Sequence, residues 1–71
     1  MQRLRFDVYG RLRLEVVRDG GQWRVYRLGD GVRRPDPDVV IPPEVTADRV
    51  ADVLEVEFHE LGEPGREVRR I

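Results

Sequence analysis

One stretch of the sequence carries residues of the types that bind metal ions. His59, the only histidine, has a glutamate four residues before it and another four residues after it, Glu55 and Glu63. On a helix this spacing places carboxylate, imidazole and carboxylate along one side, and such a set can hold a divalent metal. Helical geometry also puts His59 on a solvated acidic face, and Glu63 falls beyond the predicted end of the helix. We therefore predict no metal site, and a small metal-assisted hydrolase at His59 is kept as the second alternative function.

Other catalytic chemistry has few candidate residues. The sequence contains no cysteine, serine or lysine, so Thr46 and the carboxylates are the remaining nucleophiles, and Thr46 is expected to cap a helix. Four of the seven glycines occur in DGG and GDG turn sequences, and the glycines match neither a dinucleotide-binding nor a phosphate-binding loop. Without cysteine, no disulfide and no cysteine-ligated metal site can form. We predict a protein that is not an enzyme, with no catalytic residue and no cofactor.

The distribution of charge is the most informative functional feature of the sequence. All 13 positively charged residues are arginine, and the formal net charge is −1. Residues 1–34 contain nine arginines and four acidic residues, whereas residues 35–71 contain four arginines and ten acidic residues. If the two halves form different layers, the protein has a basic face and an acidic face.

The elements that position these charges include one predicted helix, residues 46–61. Thr46 lies at its N-cap position, Asp48 lies in the first turn, and Gly62 followed by Pro64 ends it. Its apolar residues recur at helical spacing and form one stripe: Ala47, Val50, Leu54, Phe58 and Leu61. A lone amphipathic helix is marginally stable in water, so the rest of the chain must provide the surface that this stripe covers.

Residues 3–18 alternate between apolar and charged side chains, which predicts two half-buried antiparallel strands. A three-residue loop at residues 9–11, with Gly10 in a positive-φ position, fixes their register. The pairs set opposite each other are Val8 and Leu12, Phe6 and Leu14, Leu4 and Val16, Asp7 and Arg13, and Arg5 and Glu15. Apolar pairs on one face and opposite charges on the other support the same register.

The sequence DGG at residues 19–21 predicts a second hairpin turn, followed by a third strand at residues 22–29. A short edge strand is expected at residues 32–34, and a short last strand at residues 66–71. Arg27 falls on the core side of the third strand, where a buried cation needs a partner, and we expect an ion pair with Glu57 of the helix.

Together these elements predict a single small α+β domain over residues 1–71. An antiparallel β-meander of three to four strands is covered on one face by the single helix, residues 46–61. The centre of the core is expected to hold Phe6, Leu14, Trp23, Leu54 and Phe58. No apolar run approaches the about 20 residues of a membrane span, and residues 1–15 lack the apolar region of an export signal. We therefore expect a cytoplasmic protein without a membrane partner.

The sheet face turned away from the helix is the predicted binding surface, because alternation places arginine and exposed apolar residues there together. The predicted binding residues are Arg13, Val17, Arg24, Tyr26, Leu28 and Tyr9. These residue types are enriched in protein interfaces, so the expected partner is another protein, or a second copy in a homodimer through the sheet face. The first alternative is a single-stranded nucleic acid, held by arginine and stacked on tyrosine. The negative net charge and the acidic cross-strand partners argue against that alternative.

Five short motifs resemble a known protein family: FDVYGR (residues 6–11), WRVYRLG (23–29), RRP (33–35), IP (41–42) and FHE (58–60). The family consists of short bacterial proteins catalogued as a domain of unknown function, and the similarity covers nearly the whole chain. The resemblance implies a stand-alone small bacterial protein with no assigned activity, substrate or cofactor. It also draws attention to Trp23, His59 and Glu60 as positions with roles beyond packing.

Overall fold

The computed structural model describes residues 2–62 and 65–71, and it has an α+β fold. Five strands form one antiparallel sheet: β1 (Gln2–Val8), β2 (Leu12–Asp19), β3 (Gln22–Gly29), β4 (Val32–Pro35) and β5 (Val68–Arg70). Their order in the sheet is β4-β3-β2-β1-β5. The first four strands form the predicted meander, and β5 returns to pair with the free edge of β1. The predicted fold class is confirmed, including the short edge strand and the short last strand.

The pairing of β1 with β2 has the predicted register at every position. The turn between the two strands is closed by a hydrogen bond of 2.9 Å from the N–H of Arg11 to the carbonyl of Val8. Within that turn Gly10 has a φ of 69°, a conformation that glycine adopts without steric cost. Tyr9 beside it has a φ of 54°, which is uncommon for a residue with a side chain.

The predicted helix is present, but only its middle part is α-helical. A 3-10 turn at Ala47–Arg49 leads into α1 (Val50–Glu57), and a second 3-10 turn follows at His59–Leu61. Thr46 occupies the N-cap position without capping a backbone N–H, and its side chain beside Asp48 lowers the pKa of that carboxyl. Pro64, part of the predicted stop signal, lies outside the described residues. No helix in the described part of the chain is long and apolar enough to cross a membrane.

Two different segments cover the inner face of the sheet. The helix α1 packs against β1 and β5, and its Val50 and Leu54 are fully buried. The connection between β4 and the helical segment covers the other end of the sheet, where Val39 and Ile41 join the core that contains Trp23. All five residues expected at the centre of the core are buried.

Side chains of β2 and β3 hold this connection through its backbone carbonyls. The indole N–H of Trp23 donates to the carbonyl of Val45 at 2.8 Å. The guanidinium of Arg18 donates to the carbonyls of Pro43 and Val45 at 2.8 and 3.3 Å, and it lies over the ring of Trp23. Trp23 therefore has a structural role that joins the sheet to the connection.

The prediction of an ion pair between Arg27 and Glu57 is wrong, because Arg27 pairs with Asp36. The Nε of Arg27 lies 2.8 Å from the Oδ2 of Asp36. Asp36 is the residue directly after β4, and it is buried. The N–H of Asp36 donates to the carbonyl of Val25 at 2.8 Å, so the carboxylate is held beside β3. The helix covers the opposite end of the sheet, and Glu57 is exposed.

We predict that Leu54→Ala lowers the free energy of unfolding by about 2–5 kcal/mol, because it removes a fully buried side chain between α1 and the sheet. The matched control is Val56→Ala on the same helix, where the side chain is 76% exposed and the expected change is about 0.5 kcal/mol or less. Urea unfolding monitored by the fluorescence of Trp23 measures both. Equal midpoints for the two variants would show that α1 does not close the core.

Candidate functional site

The outer face, which is the face of the sheet opposite α1, brings together most of the predicted binding residues. Arg13 lies directly opposite Leu28, and Val17 lies directly opposite Arg24. The row between these two pairs joins Glu15 to Tyr26. Five of the six predicted residues therefore occupy three consecutive cross-strand rows of β2 and β3: Arg13, Val17, Arg24, Tyr26 and Leu28.

Tyr9, the sixth predicted residue, is not part of the outer face. Its side chain is only 7% exposed and belongs to the hydrophobic core. Its hydroxyl donates to the carbonyl of Glu55 at 3.4 Å, and its own N–H donates to the carbonyl of Glu67 at 3.3 Å. The prediction extended the alternation of β1 into the turn, but a residue with positive φ no longer follows that alternation.

The centre of the outer face is a buried carboxylate. Glu15 is 2% exposed, and each of its two oxygens accepts a hydrogen bond from an arginine. The Nε of Arg5, on β1, donates to Oε2 at 3.2 Å, and the Nη1 of Arg33, on β4, donates to Oε1 at 2.6 Å. The predicted pairing of Arg5 with Glu15 is thus a hydrogen-bonded ion pair.

Arg33 is a residue of the candidate site that sequence reasoning missed. Its side chain starts on the edge strand, passes over β3 and reaches Glu15 on β2. Where it crosses β3, its Cζ lies 4.1 Å from the centroid of the Tyr26 ring and makes a cation–π contact. The only signal in the sequence was the predicted edge strand at residues 32–34, because a strand beside β3 places alternate side chains on the outer face.

Burial and ion pairing act in opposite directions on Glu15. Burial raises the pKa of its carboxyl, whereas the hydrogen bonds from Arg33 and Arg5 and the positive charges of both lower it. The net effect keeps the pKa of Glu15 below its ordinary value, so the carboxylate is ionised at neutral pH. The outer face therefore has a fixed negative charge at its centre, neutralised by two arginines.

Less apolar surface is exposed on the outer face than the sequence suggested. Val17 is only 5% exposed, and Tyr26 and Leu28 are half-buried. The guanidinium of Arg33 lies on the ring of Tyr26 and covers part of its surface. The expectation that these three residues face water is therefore wrong for Val17 and holds only in part for the others.

Four arginines of the outer face have no ion pair within the described residues: Arg3, Arg13, Arg24 and Arg69. For Arg13 the expected partner was Asp7, which does lie opposite it. The carboxylate of Asp7 instead accepts a hydrogen bond of 3.1 Å from the N–H of Gly10. Acidic cross-strand partners were an argument against the binding of a nucleic acid. That argument holds for Arg5, which is paired with Glu15, but not for Arg13.

The candidate metal ligands do not form a site in the part of the chain that the structure describes. His59 is exposed, and its Nδ1 lies 3.2 Å from the carbonyl of Val56. Glu63 lies outside the described residues. Within residues 2–62 and 65–71, no three histidine, cysteine or acidic side chains are grouped closely enough to hold a metal ion. Glu60 beside His59 is also exposed.

Comparison with known proteins identifies a family but no activity. The model of a family described as "Domain of unknown function (DUF7661)" matches residues 3–71. No curated protein and no solved structure matches the chain. The predicted resemblance to a family of unknown function is confirmed.

We predict that Glu15→Gln lowers the free energy of unfolding at pH 7 by about 1–3 kcal/mol, because the single amide oxygen can accept from only one of the two arginines and the NH2 group has no acceptor in the other. The pKa of Glu15 is lowered on folding, so its contribution is fully present above the ordinary value of 4.5 and is lost as the pH falls through the folded value. The stability difference between the two proteins should therefore shrink at acidic pH. Urea unfolding across a pH series measures it.

The matched control for this substitution is Glu57→Gln, which makes the same chemical change at an exposed position of α1. Its expected effect is about 0.5 kcal/mol or less at every pH. A loss for Glu15→Gln that is no larger than that of the control would contradict the role given to the buried carboxylate.

Proposed function

The chain belongs to the DUF7661 family, and we propose that this protein acts by binding another protein rather than by catalysis, with the outer face holding an acidic segment of its partner. The observation that carries this proposal is a set of outer-face arginines that have no ion pair in the described part of the chain, Arg3, Arg13, Arg24 and Arg69. The cytoplasmic location expected from the sequence remains a prediction within this proposal.

The charges of the two layers support an acidic partner. The outer-face positions of the strands carry Arg3, Arg5, Arg13, Arg24, Arg33 and Arg69 against Asp7, Glu15 and Asp19. The helical segment on the opposite side carries Asp48, Asp52, Glu55, Glu57 and Glu60 against Arg49. An acidic segment is therefore attracted to the outer face and repelled by the helical layer, which orients the encounter.

The state of the two tyrosines favours a protein over a single-stranded nucleic acid. Stacking of bases needs an aromatic ring with a free face. The ring of Tyr26 is covered by the guanidinium of Arg33, and Tyr9 is buried in the core. A nucleic acid on this face would have to bind without stacking its bases on these tyrosines, or displace Arg33 from both Tyr26 and Glu15.

The same geometry makes a second copy a poorer partner than an acidic protein. A two-fold contact of sheet against sheet would bring the arginines of one outer face against those of the other. The apolar surface available for such a two-fold contact is smaller than expected, since Val17 is buried. The crosslinking experiment must therefore distinguish self-association through the outer face from the binding of an acidic protein.

We predict that a photo-crosslinking residue at position 28, placed in the native cell, forms an adduct with a protein that contains an acid-rich segment. Leu28 is half-buried on the outer face beside Arg13, so the probe is near the partner without replacing an arginine. Arg13→Ala with Arg24→Ala should reduce the adduct about tenfold, as expected when two contacts of charged groups are lost. Mass spectrometry identifies the partner and measures the yield.

Two controls decide the interpretation. Arg34→Ala with Arg70→Ala removes the same charge from positions on the other side of the sheet, opposite Arg27 and Phe6, and should leave the adduct unchanged. The same probe at Val56, on the exposed side of α1, should give no such adduct. An adduct that disappears after nuclease treatment would support nucleic acid instead, and an adduct with a second copy would support the homodimer.

A further inference from the structure

A shallow depression of about 350 Å³ lies on the outer face beside the buried carboxylate. Its floor and walls come from β1, β2, β3, β4 and the turn between β3 and β4. The lining residues that matter for binding are Glu15, Leu28, Arg3, Arg5 and Arg33. Three arginines therefore line one concave region that is open to solvent.

Two of these guanidinium groups are held in place before any ligand arrives. Arg5 and Arg33 are each hydrogen-bonded to one oxygen of Glu15, and Arg33 also stacks on Tyr26. A guanidinium has five N–H groups, and these contacts use one from each arginine, so the remaining donors are available to a ligand. A side chain that is already ordered loses less entropy on binding.

The charge of the depression is positive although a carboxylate forms part of its floor. Both oxygens of Glu15 are occupied by arginine, so its charge is compensated locally. Arg3 adds a third guanidinium, which has no ion pair within the described residues. The side chains of Arg5 and Arg33 are 60% and 44% exposed, so a ligand can reach them.

We propose that this depression is an oxyanion-binding site in which Arg3, Arg5 and Arg33 hold a carboxylate side chain of the acidic partner, and that Glu15 positions two of them. The proposal rests on the proposed function, because it names the part of the partner that enters this depression. A planar carboxylate matches the forked N–H groups of a guanidinium and can be bound through two parallel hydrogen bonds. Leu28 on the floor provides an apolar contact for the methylene groups that carry such a carboxylate.

The site is tested by titrating the protein with a hexaglutamate peptide at fixed ionic strength, and recording the side-chain Nε–Hε resonances of arginine by NMR. We expect saturable shifts for Arg5 and Arg33. Arg34 and Arg70, which lie on the other side of the sheet, should shift little and serve as internal controls.

Two variants test the roles of the arginines. Arg3→Ala should weaken hexaglutamate binding about tenfold and leave the fold intact, because Arg3 makes no ion pair in the described structure. Arg33→Lys keeps the charge but removes the planar fork, and should weaken binding by about the same factor. Arg70→Lys is the matched control and should have no effect. Thermal unfolding of each variant verifies that it is folded.

Two further probes distinguish the source of the oxyanion. Inorganic phosphate and oligothymidylate are titrated in the same way, and both should bind more weakly than hexaglutamate. Phosphate that saturates the same resonances at equal or lower concentration would overturn the assignment to a carboxylate, and tighter binding of oligothymidylate would overturn the choice of a protein ligand. Shifts of all arginines in parallel, without saturation, would show diffuse charge attraction and no site.

The outcomes also separate this proposal from the proposed function. If the crosslinked partner at Leu28 is found but Arg3→Ala and Arg33→Lys leave hexaglutamate binding unchanged, the assignment of the depression is wrong and the binding face remains. If hexaglutamate saturates the site but no protein is crosslinked at Leu28, the site remains and the partner assignment is wrong.

Discussion

The buried carboxylate of Glu15 on the outer face of the sheet governs the arrangement of that face. A buried charge is unfavourable unless it is paired and hydrogen-bonded, and Glu15 obtains its partners from β1 and β4, which are not neighbours in the sheet. Because Arg33 must pass over β3 to reach Glu15, it also covers the ring of Tyr26. The edge strand is thereby tied to the centre of the sheet by side chains as well as by the backbone.

The arginines of the outer face fall into two groups with different consequences. Arg5 and Arg33 neutralise Glu15 and are held in fixed positions, whereas Arg3, Arg13, Arg24 and Arg69 have no ion pair in the described structure. The first group limits how bases could stack on this face, and the second leaves it positively charged. Since the helical layer on the other side is acidic, the protein presents faces of opposite sign, which would attract and repel an anionic partner, respectively.

Local patterns in the sequence determined the parts of the fold that depend on neighbouring residues. The register of β1 with β2 follows from the alternation of apolar and charged residues and from the three-residue loop, so the contact of Arg5 with Glu15 was predictable. The stripe of apolar residues around Leu54 likewise predicted a helix that buries one side. Alternation also assigned Arg13, Arg24 and Tyr26 to one face.

Only the tertiary structure decided which residues meet across elements that are distant in the chain. Arg27 pairs with Asp36 because the connection after β4, and not α1, covers that end of the sheet. Tyr9 is buried because its turn conformation directs it toward the carbonyl of Glu55, 46 residues away. Arg33 reaches Glu15 only because β4 lies beside β3. Sequence periodicity specifies the face of an element on which a side chain lies, whereas the partner across that face depends on how the elements pack together.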